Sequence, residues 1–100
     1  MVKICVSGSE GKMGSSIIEL AKKDTDLQVT GGFDIDGNAE ISIEACECLI
    51  EFTTPKATIE HLAFCEKLKK AIVIGTTGLS EAEKDKIEEA SKNIPVVFSP

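Results

Sequence analysis

Val2-Lys3-Ile4-Cys5-Val6-Ser7, running into Gly8-Ser9-Glu10-Gly11-Lys12-Met13-Gly14, is the stretch on which the reading of the fold depends. The first six residues are apolar and β-branched enough for a strand that starts almost at residue 1. The next seven place glycine at three positions, where backbone or ligand can approach closely. Beyond them Met13, Ile17, Ile18 and Ala21 recur at three- and four-residue intervals, which predicts a helix with one apolar face. Strand, glycine turn and helix in this order form the corner that cradles phosphate in nucleotide-binding α/β domains. Turn amides and the helix N-terminus there offer a partially positive seat to a pyrophosphate.

Gly8-x-x-Gly11-x-x-Gly14 is a variant of the commoner G-x-G-x-x-G, and by itself it also describes a tight βα turn with no ligand. A second feature favours the ligand reading. Leu27-Gln28-Val29-Thr30-Gly31-Gly32-Phe33 reads as a second strand and ends at Asp34, about 20 residues past the glycine turn, where a dinucleotide site places the carboxylate that accepts the adenosine ribose hydroxyls. Asp36 competes with Asp34 for that role. Asp34 is preferred because it directly ends the strand, and a turn one residue longer would reverse the order.

One hundred residues with 42% apolar content suit one domain with a single core. A net charge of −6 argues against general affinity for nucleic acid or an anionic membrane, while leaving room for a phosphate held locally by backbone amides. No apolar run has membrane-spanning length, and the first residues lack the basic-then-apolar pattern of a signal peptide. Cys5 and Cys65 read as small buried or half-buried groups on a strand and a helix. Cys46-x-Cys48 lacks the spacing and second ligand pair of a zinc site, so no metal is expected and the thiols read as reduced, in a cytoplasmic protein.

Further along, Ile35-Asp36-Gly37-Asn38 is a polar turn, and Glu40 to Glu47 is open between a short helix and an irregular connection. Cys48-Leu49-Ile50-Glu51-Phe52 reads as a third strand. Thr54 then suits an N-cap and Pro55 the first position of a helix that runs to about Lys70, with Ile59, Leu62, Ala63 and Leu68 on its inner face. Ala71-Ile72-Val73-Ile74 reads as a central parallel strand covered on both faces. Ser80-x-x-Glu83 is a capping box opening a helix to about Lys92, and Pro95-Val96-Val97-Phe98 is a fifth strand. The order predicts a parallel sheet with right-handed crossovers and helices on both faces. All the glycine- and threonine-rich loops then fall at the carboxyl ends of the strands, on one edge, where such sheets bind ligands.

Together, Gly8 to Gly14, Ile50-Glu51-Phe52-Thr53-Thr54-Pro55, His61-Leu62-Ala63-Phe64-Cys65 and Val73-Ile74-Gly75-Thr76-Thr77-Gly78 resemble the N-terminal domain of dihydrodipicolinate reductase, also called 4-hydroxy-tetrahydrodipicolinate reductase. The resemblance spans essentially residues 1–100, in order. It implies a Rossmann-like, mostly parallel sheet of about five strands, and an oxidoreductase of the diaminopimelate and lysine pathway that uses NAD(P)H. By position, the resemblance assigns the pyrophosphate to Gly8, Ser9, Glu10, Gly11, Lys12 and Met13, and the adenosine ribose to Asp34. Phe52, Thr53 and Thr54 would line the cofactor cleft, Gly75, Thr76 and Thr77 would fix the nicotinamide carboxamide, and Ser99-Pro100 would begin a final cofactor loop.

Some members of that family carry an arginine directly after the acidic residue, able to clamp a 2′-phosphate; this chain has Ile35 there, which favours NADH over NADPH. Lys12 partly compensates for the missing arginine. The family's histidine- and lysine-containing substrate motif is absent. No catalytic residue is therefore expected in this chain, and the cyclic dicarboxylate substrate would need the second domain. The family's tetramer contacts also belong largely to that domain, so the parent is expected to be a homotetramer and this chain a monomer, inactive alone. A dinucleotide-binding or sensing module without catalysis is the alternative. His61 is read as an exposed or packed helix residue away from the strand ends. For Glu51, a structural hydrogen-bonding role is as plausible as ligand contact, and the Glu81–Glu89 helix is read as a solvated face with Glu–Lys pairs.

Overall fold

The computed structural model describes residues 2–9, 11–33 and 38–99. Among the described residues nine elements alternate: β1 (Val2–Ser7), α1 (Lys12–Lys22), β2 (Leu27–Phe33), α2 (Ala39–Glu44), β3 (Cys48–Glu51), α3 (Pro55–Leu68), β4 (Ala71–Ile74), α4 (Glu81–Ala90) and β5 (Val96–Phe98). The five strands form one sheet in the order β2-β1-β3-β4-β5, every neighbouring pair parallel. Of Glu40 to Glu47, the first five residues belong to the short helix α2, which starts one residue earlier at Ala39 and whose N-cap Asn38 accepts a hydrogen bond from the Ile41 amide at 3.2 Å.

Strand alternation sorts the side chains onto two faces. Cys5, Leu49, Ile72 and Ile74 point to one face, where they pack with Ile43 of α2, Leu62 and Cys65 of α3, and Ile87 and Ala90 of α4. Ile4, Cys48 and Ile50 point to the other, where α1 supplies Ile17, Leu20 and Ala21 around a groove of about 450 Å³. Three helices therefore cover one face and one helix covers part of the other. This division follows from topology: the chain steps from β1 outward to β2, then back past β1 to β3, β4 and β5. A crossover of constant hand must change faces when its direction reverses. The reversal lies between β1 and β3.

Several local expectations are corrected. Ala71 and Val73 of β4 are only half-buried, because α1 packs over β1 and β2 and does not reach β4. In α3 the buried stripe is Thr58, Leu62 and Cys65; Ile59 and Leu68 flank it half-buried, and Ala63 faces solvent. The stripe thus includes a threonine that a purely apolar pattern passes over. Met13 is 57% exposed and not on the inner face of α1, since the first turn of that helix overhangs the strand ends. Cys5 and Cys65 are buried as expected, and burial pushes the Cys65 thiol up to about 12, which keeps it protonated and inert.

Candidate functional site

The carboxyl ends of β1, β3 and β4 meet at the topological reversal, and three loops touch there. Gly8 adopts φ +86°, and a Cβ on it would lie 2.4 Å from the Phe52 carbonyl oxygen, so only glycine lets the first turn lie against the loop after β3. The Phe52 ring in turn lies close against Gly75, where a Cβ would come within 2.0 Å of a ring carbon. Backbone bonds complete the arrangement: the Phe52 amide donates to the Ser7 carbonyl at 3.3 Å, the Gly75 amide to Glu51 at 2.9 Å, and the Ser99 amide to Ile74 at 3.0 Å. Gly8, Ser9, Gly11, Phe52, Thr53, Gly75, Thr76 and Ser99 are thereby gathered at one edge. Glu10, Asp34, Asp36 and Pro100 lie outside the described residues.

Within the first turn the amides are not equivalent. Those of Gly8 and Ser9 donate to the Phe33 carbonyl at 2.9 and 3.4 Å, and that of Gly11 to the Gly8 carbonyl at 3.1 Å. These bonds shape the turn. Gly11, at the N-cap of α1, has no side chain to cap the first-turn amides of Lys12 and Met13, and no acidic residue sits in that turn. The other three helices are each capped by their own side chain: Asn38 for α2, Thr54 for α3 and Ser80 for α4. Thr54 is thus committed to the Ala57 amide at 3.3 Å, and its hydroxyl is a cap before it is a wall of any cleft.

Beneath these loops lies a polar cluster that the sequence reading did not assemble. Glu51 is completely buried on the helical face of β3, two residues after buried Leu49. A buried carboxylate is costly unless hydrogen-bonded, and here each oxygen is bonded. Oε2 accepts from the Thr53 hydroxyl and from the Thr58 hydroxyl at 3.2 Å, while Oε1 lies 2.7 Å from His61 Nδ1. Because a carboxylate only accepts, the remaining directions follow. His61 carries its proton on Nδ1, and Thr58, having donated to Glu51, accepts from Thr76 at 2.7 Å. Thr76 Oγ1 accepts in turn from the Thr53 amide at 3.2 Å. Thr76 is only 2% exposed, so of the two hydroxyls in the Gly75–Gly78 loop one is turned inward and only Thr77 faces solvent.

His61 therefore does not sit away from the strand ends. Its Nδ1 is 3.3 Å from the Ser7 hydroxyl at the end of β1, and its ring meets that of Phe33, at the end of β2, edge-on at 5.1 Å between centroids. The sequence held a usable signal. Once Thr54 and Pro55 fix the start of α3, Thr58 and His61 fall one turn apart, and alternation from Leu49 puts Glu51 on the side facing them.

Comparison with known proteins agrees with this architecture. The family described as "Dihydrodipicolinate reductase, N-terminus" matches residues 2–100. The chain is 36% identical to 4-hydroxy-tetrahydrodipicolinate reductase of Aromatoleum aromaticum, over 99% of this chain and 44% of that protein. It is 33% identical to the enzyme of the same name from Rubrobacter xylanophilus, over 100% and 45%. A solved structure of dipicolinate-bound dihydrodipicolinate reductase from Paenisporosarcina sp. TG-14 superposes with a TM-score of 0.85 at 20% identity, covering 100% of this chain and 47% of that one. The chain spans less than half the length of the curated relatives it matches. By sequence match and by fold, it belongs to the dihydrodipicolinate reductase family, as that family's N-terminal domain.

Proposed function

We propose that this chain is the NAD(P)H-binding half of a 4-hydroxy-tetrahydrodipicolinate reductase, acting in diaminopimelate and lysine biosynthesis. The observation that carries the proposal is the meeting of three loops over an uncapped helix N-terminus at the reversal between β1 and β3. A pyrophosphate fits that place: it is an anion, and the first turn of α1 offers backbone donors, the positive end of the helix dipole and Lys12. Asp34 would accept the adenosine ribose hydroxyls. The backbone of Gly75, Thr76 and Thr77 would hold the carboxamide of the nicotinamide, beside Phe52.

The hydride chemistry is the cofactor's own, and what this half contributes is position. With Ile35 in place of a cation after Asp34, NADH is the favoured form. Reduction of the cyclic substrate would require the second domain that the relatives carry. Calorimetric titration of the chain with NADH and with NADPH tests the reading. The expected result is binding of both, tighter for NADH, and abolished by Asp34→Ala. If neither bound at millimolar concentration, the reading would be overturned for this chain.

A further inference from the structure

Glu51 lies at the centre of the polar cluster, bonded directly to Thr53, Thr58 and His61. Its carboxylate holds Thr53, in the loop after β3, directly, and it holds Thr76, in the loop after β4, through Thr58 of α3. Its other oxygen is bonded by His61, whose ring is itself seated between Ser7 and Phe33 at the ends of β1 and β2. The Thr53 amide closes the ring of bonds on Thr76. One buried anion therefore ties the ends of four strands to the helix beneath them, at the level where the Phe52 ring meets Gly75. Hydrophobic packing alone would leave the separation of these two loops adjustable, because each is a short run without regular structure. Hydrogen bonds to a charged acceptor are stronger and more directional than neutral ones and fix it.

We infer that Glu51 is a positioning residue for the nicotinamide end of the dinucleotide, acting through Thr53 and through the Thr58–Thr76 relay, with His61 holding the carboxylate in place. The inference rests on the cofactor reading above. It says that the adenosine and pyrophosphate end, seated on α1, is independent of Glu51, while the nicotinamide end depends on it.

Two probes separate the ends. NADH carries both, and ADP-ribose carries everything except the nicotinamide. Titration of the unaltered chain is expected to show NADH bound more tightly than ADP-ribose. In Glu51→Gln an amide nitrogen replaces one acceptor, and the NADH advantage should shrink by about tenfold while ADP-ribose affinity stays within about twofold. Should Glu51→Gln fail to fold, judged by circular dichroism, Thr58→Val cuts the relay at nearly constant volume and should give the same narrowing. Thr58→Ser restores a hydroxyl and should return the original ratio. His61→Leu should narrow the ratio, and His61→Asn, which retains a donor near the position of Nδ1, should partly restore it.

An unchanged ratio in folded Thr58→Val overturns the inference, as does a parallel loss of both ligands in Glu51→Gln. Equal affinities in the unaltered chain also overturn it while leaving the pyrophosphate seat standing. Failure of the unaltered chain to bind either probe removes the cofactor reading itself.

Discussion

Helices α1 and α4 begin with the same backbone and opposite chemistry. Gly11 and Ser80, their N-caps, both have φ −74° and ψ 167°. At α4 the Ser80 hydroxyl accepts from the Glu83 amide at 3.2 Å, Glu83 accepts in return from the Ser80 amide at 2.8 Å, and Glu81 and Glu83 place negative charge at the positive end of the helix. At α1 the cap has no side chain, the first residue is Lys12, and the third helical position, where α4 has its glutamate, is Gly14. A Cβ at Gly14 would lie 2.0 Å from the Gly8 carbonyl oxygen, so the close turn leaves no room for a reciprocal capping residue. Backbone geometry sets how a helix is entered, and side chains decide whether its amides are closed off or left facing outward. One helix start is built for stability and the other gives up roughly a few tenths of a kcal/mol of capping energy, which an external anion would return.

The largest effect that sharpens this contrast is at that third position. Gly14→Ala drives a methyl group into the Gly8 carbonyl, and the backbone of the turn must shift. Even after the gain in helix propensity, a loss of about 2 kcal/mol in denaturant unfolding is expected, together with loss of NADH binding. Retained stability would mean that the turn and α1 are not locked together. Next in size is Ser80→Ala, which should cost about 1 kcal/mol and leave NADH affinity unchanged. A drop in affinity would show that α4 takes part in the site and would dissolve the contrast.

The sequence made one of these two starts fully legible and the other only by what it lacks. Ser80-x-x-Glu83 is a local pattern whose meaning does not depend on distant residues, and the capping box is present as read. The sheet was legible for a similar reason: short β-branched runs bounded by Gly, Pro and Thr give the strands, and alternation with helices gives a parallel order. The polar cluster was not legible from any one segment. Glu51, Thr58, His61 and Thr76 belong to one strand, one helix and one loop, and their meeting depends on the rotation of α3 over the sheet. That rotation is set by Thr58, Leu62 and Cys65, the first of which an apolar template does not count. Likewise, nothing in Gly75-Thr76-Thr77-Gly78 distinguishes an inward threonine from an outward one; burial beside Thr58 does.

Two smaller effects test the contrast from each side. Gly11→Ser gives α1 the cap it lacks, at a position where a new Cβ meets the Gly8 carbonyl at an ordinary 3.4 Å. Stability should rise by a few tenths of a kcal/mol, and NADH should bind more weakly, because the serine hydroxyl then competes for the first-turn amides. Tighter binding would refute the uncapped turn as the anion seat.

The smallest effect belongs to pH. Hydrogen bonds from the Ser80 backbone amide, and then from its side chain, hold the Glu83 carboxyl below its ordinary value, whereas α1 has no carboxylate in its first turn. A group whose pKa is depressed by folding contributes stability that is fully present above its unfolded value, about 4.3, and is lost as pH falls through the lower folded value. The stability advantage of the unaltered chain over Glu83→Gln should therefore shrink as pH is lowered from about 6 to about 3. In a Ser80→Ala background the same comparison should be flatter, since the bonds that depress Glu83 are weakened. A constant difference across that range would show that the box is held by the geometry of the turn and not by charge, which would make the two helix starts differ in shape alone.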